Sequence, residues 1–287
     1  MAKVAVVTDS IACLPAELVE KYHIYIAPAV TIFFEGKIYR DWVDISYEEA
    51  FRILDKDPEH FSTSPSPVSF LEAFRQLSQQ EQSIVCITVS SGFSTLHDMA
   101  REAKETVTGE IPGAEIEIID SRTATAAQGF VALAAARAAE EGKNFNQVVA
   151  KAIQVRDKVD LFFAFDTIRH IYRTGRIPKL AAQIGSMLNV KPIITVRNGL
   201  ARFSGVARTK DKAVNRLVAL TKEKVGSQPV HMAVVHADVL EEAEKLEAHV
   251  QTEFNCVELW ITSFSPVMAY GTGRGVLGLA FYPEGES

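Results

Sequence analysis

The residues of this chain that could do chemistry fall in four short stretches rich in hydroxyl side chains or glycine. They are residues 8–10 (TDS), 63–67 (TSPSP), 90–95 (SSGFST) and 272–275 (TGRG). The second and third are predicted loops that run into helices, and the first turn of a helix presents free backbone N–H groups and a partial positive charge. Because Ser and Thr hydroxyls add neutral donors beside those groups, the pattern indicates capture of a small anion such as a carboxylate or a phosphate.

The sequence patterns of several enzyme classes do not occur in the chain. It has neither a GxxxxGK[ST] phosphate loop nor a GxSxG nucleophile elbow, and its seven histidines show no metal-ligand spacing. Residues 272–275 precede a predicted strand, whereas a dinucleotide fingerprint follows one. Asp9 and Asp120 end predicted strands and could act as general bases, although capping of the following turns is the favoured role. An enzyme acting on a small carboxylated or phosphorylated metabolite through Asp9 or Asp120 therefore stays open beside a binding protein.

Composition narrows the class of protein further. The chain has 287 residues, of which 47% are hydrophobic and 23% charged, and its net charge of -6 argues against broad nucleic-acid binding. No apolar stretch is long enough to cross a bilayer, and the apolar run at residues 3–7 is a predicted first strand, too short for a signal peptide. Cys13, Cys86 and Cys256 lie far apart and form no CxxC pair, which predicts reduced thiols and a cytoplasmic location.

Strands and helices are predicted to alternate over the first part of the chain. Residues 3–7 and 84–89 are continuous apolar runs, typical of parallel strands covered on both faces, and residues 115–119 form the next strand. Hydroxyl or acidic side chains follow each of these strands, and ligands of open parallel sheets lie beyond the carboxyl ends of the strands. We therefore predict an α/β domain over residues 1–160, with a mostly parallel sheet flanked by helices.

The pattern changes after about residue 160. Asn198 and Gly199 separate two extended segments and are the strongest short hairpin signal in the sequence. The other predicted strands span residues 161–165, 231–236, 257–261 and 276–281, and the predicted helices span residues 179–188, 210–225 and 240–254. A hairpin among helices predicts a second, α+β domain over residues 161–287 with a mixed or antiparallel sheet.

Six motifs in order along the chain resemble the DegV family of bacterial fatty-acid-binding proteins. They are residues 8–10 (TDS), 63–64 (TS), 90–94 (SSGFS), 120–122 (DSR) with 128–129 (QG), 174–177 (TGRI) leading into 184–193 (IGSMLNVKPI), and 273–281 (GRGVLGLAF). The ordered set spans nearly the whole chain, from residue 8 to residue 281. The resemblance implies two α/β domains with one long-chain fatty acid held in an apolar tunnel between them. It also implies an acyl carrier without catalytic chemistry or cofactor, which presents the carboxylate to a separate fatty acid kinase.

The resemblance also implies which residues form the site. Hydroxyls equivalent to Thr63 and Ser94 bind the carboxylate in the family, and arginines match Arg176 and Arg208. The predicted ligand-binding residues are Thr63, Ser64, Ser91, Ser94, Thr95, Thr272, Gly273 and Arg176. The apolar residues that the family places near the tunnel are Phe162, Phe163, Phe165, Ile184, Met187, Leu188, Ile193 and Ile194.

One motif departs from the family pattern in a way that bears on function. The family's last motif usually reads GTHTGPG, whereas residues 269–275 read AYGTGRG, so Gly271 replaces a histidine that reaches the carboxylate and Arg274 replaces proline. Lipid binding is compatible with this change, but transfer of the acyl group to a kinase is in question. A sensor or interaction protein with a structural lipid is therefore a third hypothesis.

Overall fold

The computed structural model describes residues 3–56, 61–80, 83–177 and 190–285. Three sheets organise this part of the chain. The strands are β1 (Val4–Asp9), β2 (Tyr25–Ala27), β3 (Val30–Phe34), β4 (Lys37–Arg40), β5 (Ser62–Pro65), β6 (Ser83–Thr88), β7 (Ile116–Asp120), β8 (Asp160–Ala164), β9 (Lys191–Arg197), β10 (Leu200–Ala207), β11 (Val230–His236), β12 (Cys256–Ser263) and β13 (Leu277–Pro283).

The helices lie mainly between these strands. They are α1 (Ala16–Lys21), α2 (Tyr47–Lys56), α3 (Val68–Gln79), α4 (Leu96–Glu110), α5 (Thr125–Glu140), α6 (Phe145–Arg156), α7 (Arg169–Arg173), α8 (Lys210–Val225), α9 (Leu240–Glu253) and α10 (Pro266–Thr272). Within the described ranges, no helix has the length and apolar character needed to span a membrane. The helix predicted over residues 179–188 lies outside the described residues.

The first sheet is parallel throughout, with the strand order β2-β1-β6-β7. All six side chains of β6 are buried, as expected for a parallel strand covered on both faces. The carboxyl ends of β1, β6 and β7 therefore meet at one edge, and the residues that follow them are neighbours in space. The predicted parallel sheet flanked by helices is confirmed.

The second sheet has six strands in the order β10-β9-β8-β13-β11-β12. Only β11 and β12 pair in parallel; the other neighbours are antiparallel. Asn198 and Gly199 both have positive φ (50° and 76°), the backbone geometry of the tight turn that joins β9 to β10. The predicted hairpin and the predicted mixed sheet are confirmed.

A third, antiparallel sheet of β4, β3 and β5 was not anticipated in full. Strands β3 and β4 form a hairpin that turns at Glu35 and Gly36, whereas residues 63–67 were predicted to form a loop. That prediction was wrong, because residues 62–65 pair with β3 as an edge strand, with Ile32 opposite Thr63. An edge position tolerates Pro65, whose missing N–H needs no partner on the open side.

Helix α5 joins the two larger sheets. Its side chains from Thr125 to Ala136 are all buried, and it packs against β1 and β6 on one side and β11 and β13 on the other. Arg137, near its end, donates two hydrogen bonds of 2.8 and 2.6 Å to Glu258 on β12. The parallel sheet uses strands within residues 4–120 and the mixed sheet strands within residues 160–283; the domain boundary at residue 160 stays a prediction.

Candidate functional site

An apolar cavity lies where the three sheets meet. It encloses about 950 Å³ of empty space, part of which is open to solvent. The described residues that line it are Ile11, Val30, Thr63, Pro65, Val89, Phe93, Ser94, Ala124, Phe163, Phe165, Ile171, Thr174, Arg176, Ile194, Val196, Ala201, Val267, Met268, Tyr270, Gly271 and Thr272. Ile11, Val89 and Ala124 follow the carboxyl ends of β1, β6 and β7, so the cavity occupies the position expected for a ligand of an open parallel sheet.

Burial distinguishes the interior of the cavity from its rim. The interior is apolar and includes Val89, Phe165 and Ile194, which are each at most 2% exposed. Thr63, Ser94 and Arg176 are half-buried or exposed and therefore belong to the rim. Among the described lining residues, Arg176 is the only one with a full charge at neutral pH. The cavity thus has an apolar interior and a polar rim that favours an anion.

The hydroxyl groups that line the cavity differ in whether their protons are available. Thr174 Oγ1 donates to the carbonyl of Ile171 at 2.7 Å, and Thr272 Oγ1 donates to that of Met268 at 2.8 Å. Ser94 Oγ only accepts, from Leu96 N at 3.3 Å. Thr63 Oγ1 has no hydrogen-bond partner within the described part of the chain. Thr63 and Ser94 can therefore donate to a ligand without breaking an existing bond, whereas Thr174 and Thr272 cannot.

Arg176 is held at the rim by backbone carbonyl groups. Its Nε donates to the carbonyl of Phe93 at 3.1 Å and its Nη1 donates to that of Thr174 at 3.2 Å. These two bonds leave the Nη2 group free of partners among the described residues. Because the bonded carbonyls are neutral, they fix the guanidinium without cancelling its charge.

Four of the eight predicted ligand-binding residues line the cavity and four do not. Thr63, Ser94, Thr272 and Arg176 are brought together. Ser64 is exposed, since neighbouring residues of a strand point to opposite faces. The hydroxyl of Ser91 donates to Asp120 at 2.6 Å, and Thr95 is an exposed N-cap of α4. Gly273 has φ +73°, and an added Cβ would lie 2.4 Å from the His170 ring, which explains glycine there without a ligand.

The acidic residues of the alternative enzyme hypothesis do not line the cavity. Asp9 is fully buried and accepts hydrogen bonds from Ile11 N at 3.0 Å and Val89 N at 2.8 Å. Burial raises its pKa to about 6, although those N–H groups partly offset the effect. Asp120 accepts from the hydroxyl of Ser91 and from the backbone N–H of Arg122. Both carboxylates cap turns, as the sequence favoured.

The predicted tunnel residues divide according to strand alternation. Phe163, Phe165 and Ile194 line the cavity. Phe162 and Ile193 point to the other face of the mixed sheet, where they pack in a separate core with α8 and α9. Ile184, Met187 and Leu188 lie outside the described residues.

Several lining residues were missed by sequence reasoning. Val89 and Ala124 could have been found, because Val89 is the last residue of the predicted strand 84–89 and Ala124 lies in the loop after the predicted strand 115–119. Met268 and Tyr270 carried no such signal, since their helix α10 is seven residues long and precedes β13. Tyr270 stacks on Phe61 with ring centroids 5.1 Å apart, which links α10 to the segment that leads into β5.

The fold and the cavity together define a class, an α/β protein in which a parallel sheet and a mixed sheet enclose an apolar cavity with a polar rim. The sequence model described as "Uncharacterised protein, DegV family" matches residues 3–284, and the chain belongs to that family. A DegV domain-containing protein of Caldanaerobacter subterraneus is 32% identical over 254 residues, covering 88% of this chain and 89% of the relative.

Solved structures of the family share the whole fold. "DegV, a fatty acid binding protein from Bacillus subtilis" superposes with a TM-score of 0.88 at 27% identity, covering 99% of this chain and 100% of the other. A stearic acid-binding protein from Eubacterium ventriosum gives a TM-score of 0.89 at 29% identity, covering 99% and 98%. The predicted family and fold class are therefore confirmed.

Proposed function

We propose that this protein binds a long-chain fatty acid, with the acyl tail in the cavity and the carboxylate at the rim beside Thr63, Ser94 and Arg176. The observation that carries the proposal is the pairing of an apolar interior with a rim where the hydroxyl protons of Thr63 and Ser94 and one edge of the Arg176 guanidinium have no acceptor among the described residues. The solved relatives that are described as fatty acid binding proteins add support.

The two ends of a fatty acid make different physical demands. Each methylene removed from water contributes roughly 0.8 kcal/mol, so a tail of about 14 methylenes gives on the order of 10 kcal/mol before the entropic costs of binding. A carboxylate must keep hydrogen-bond donors when it leaves water. Thr63 and Ser94 are neutral donors and Arg176 is a cationic one, and α4 begins two residues after Ser94 with its positive dipole end. The rim therefore meets the demand of the head group.

We further propose that the protein is a carrier that presents the bound acid to a separate fatty acid kinase and performs no chemistry itself. Support comes from the carboxylate's proposed place at the rim, where Arg176 is exposed and a second protein has access. The three cysteines are free, which suits a reducing compartment such as the cytoplasm. Gly271 lines the cavity at the position where the family carries histidine, so this residue is expected to affect how efficiently the kinase phosphorylates the bound acid.

Identification of the endogenous ligand tests the proposal. The purified protein is denatured, extracted with organic solvent and analysed by mass spectrometry, and the delipidated protein is then titrated with C14–C18 acids. We expect a stoichiometric long-chain acid in the extract and saturable binding at one site. A polar metabolite in the extract, together with no saturable binding of any of these acids, would contradict the proposal and favour the enzyme hypothesis. Incubation with a family kinase and ATP then separates a carrier from a sensor, since only a carrier yields acyl phosphate.

A further inference from the structure

The ring of Phe163 forms part of the buried wall of the cavity. Phe163 lies on β8 and is only 6% exposed. Phe264 and Phe165 pack edge-on against it, with ring centroids 5.5 and 6.0 Å away. Aromatic neighbours therefore limit movement of this ring within the core.

Gly278 lies directly behind that ring. It is on β13, where it pairs with Phe163 in the antiparallel ladder. A Cβ added at Gly278 would lie 2.3 and 2.6 Å from two carbons of the Phe163 ring, and 3.0 Å from the carbonyl oxygen of Phe162. Gly278 does not have a left-handed φ, so the close approach of the ring, and not the backbone conformation, is what requires glycine there.

We propose that Gly278 is a positioning residue that sets the depth of the cavity, and hence the longest acyl chain that the protein accepts, by letting the Phe163 ring lie flat against the sheet. A side chain at position 278 would displace the ring. The sheet lies behind it and Phe264 and Phe165 lie beside it, so the ring would move into the cavity. This inference rests on the proposed fatty-acid binding and adds to it a residue that does not itself line the cavity.

The test compares how Gly278→Ala changes the binding of two acids that differ in length. We expect the ratio of the C18 to the C14 association constant to fall about tenfold relative to the unmodified protein. A change of that size corresponds to roughly two methylenes of the longer acid that are no longer buried in the cavity. Gly109→Ala is the matched control, because an added Cβ there meets no atom within 4 Å, and it should leave the ratio unchanged. A general loss of folding would weaken both acids alike.

A second substitution separates displacement of the ring from damage to the sheet. In the Gly278→Ala background, Phe163→Val removes both ring carbons that the new methyl group meets, and we expect it to restore the C18 to C14 ratio to within about twofold of the unmodified protein. An unchanged ratio in Gly278→Ala, or no restoration by Phe163→Val, would overturn the inference. If the unmodified protein binds neither acid, the proposed function itself fails, and the two failures are thereby distinguished.

Discussion

At the scale of single residues, the rim is defined by which donors are already engaged. Four Ser and Thr hydroxyls line the cavity, and among them only those of Thr63 and Ser94 have protons that no carbonyl of the described residues accepts. The sequence shows where hydroxyls occur, whereas the donor's existing partner decides whether it can serve a ligand. We therefore expect that removing different hydroxyls from this cavity will have unequal effects on ligand binding.

Removing either free hydroxyl should weaken binding of a fatty acid. We expect Thr63→Ala and Ser94→Ala each to cost about 1–3 kcal/mol of binding free energy, since each removes a donor from a partly buried charge. Isothermal titration with a C16 acid measures the effect. Thr174→Ala is the control, because its hydroxyl already donates to the carbonyl of Ile171. Equal losses in all three variants would contradict the assignment of donors.

Gly271 offers room for the side chain that the family usually carries there. An added Cβ meets no atom within 4 Å, and the residue has no left-handed φ. We expect Gly271→His to retain fatty-acid binding and to raise the rate at which a family kinase and ATP produce acyl phosphate. Gly271→Ala is the control for loss of backbone freedom. If Gly271→His and Gly271→Ala give the same rate, the histidine has no role in presentation here.

At the scale of elements, α5 and β5 show how packing sets the site. Helix α5 is buried on nearly all sides because two sheets cover it, and alanine is the side chain that lets both approach closely. Strand β5 exists because its backbone pairs with β3, although its own sequence has the composition of a turn. Both elements place cavity residues, Ala124 just before α5 and Thr63 on β5.

Enlarging a side chain in the middle of α5 should destabilise the fold. Ala135 is fully buried, so Ala135→Leu forces extra volume into a space already filled, at a cost of about 1–3 kcal/mol in the free energy of unfolding. Ala139 is half-buried and lines an open groove, and Ala139→Leu serves as the control. Urea unfolding followed by circular dichroism measures both. A smaller loss for Ala135→Leu than for Ala139→Leu would show that α5 is not tightly packed between the sheets.

At the scale of the whole molecule, a buried carboxyl group joins the small sheet to α10. Asp41 follows β4, is fully buried, and accepts a hydrogen bond from Val267 N at 2.9 Å. Burial raises its pKa to about 6, and the nearby Asp9 contributes in the same direction. In the unfolded chain the same carboxyl titrates near 3.8. The folded state therefore favours the protonated form, and the contribution of Asp41 to stability is present below pH 4 and lost as pH rises through 6.

This linkage predicts how stability should depend on pH in a matched variant. Asp41→Asn cannot ionise, so its free energy of unfolding relative to the unmodified protein should rise by about 3 kcal/mol between pH 4 and pH 7.5. Groups common to both proteins cancel in this comparison. Denaturant unfolding across that range measures the difference.

Asp44 provides a control of opposite sign. It is on the surface, and hydrogen bonds from Arg40 lower its pKa to about 2. Its contribution to stability is present above its unfolded pKa and is lost as pH falls, so Asp44→Asn should lose stability relative to the unmodified protein as pH rises. If Asp41→Asn shows no pH-dependent difference from the unmodified protein, folding does not raise the pKa of the Asp41 carboxyl.

The sequence by itself determined the parallel sheet, the Asn198–Gly199 hairpin and the family, because apolar runs, turn residues and an ordered set of motifs can be read along the chain. It placed Thr63 and Ser94 among the candidate donors, but only the structure separates them from hydroxyls that are already bonded. It did not determine β5, since an edge strand depends on a partner distant in sequence. Nor could it distinguish Phe163, which lines the cavity, from Phe162, which packs in the opposite core. Which of the two rings lines the cavity depends on which face of the mixed sheet meets α5. Only the tertiary structure decides this, because it brings Gly278 behind the Phe163 ring and Phe281 against the Phe162 ring.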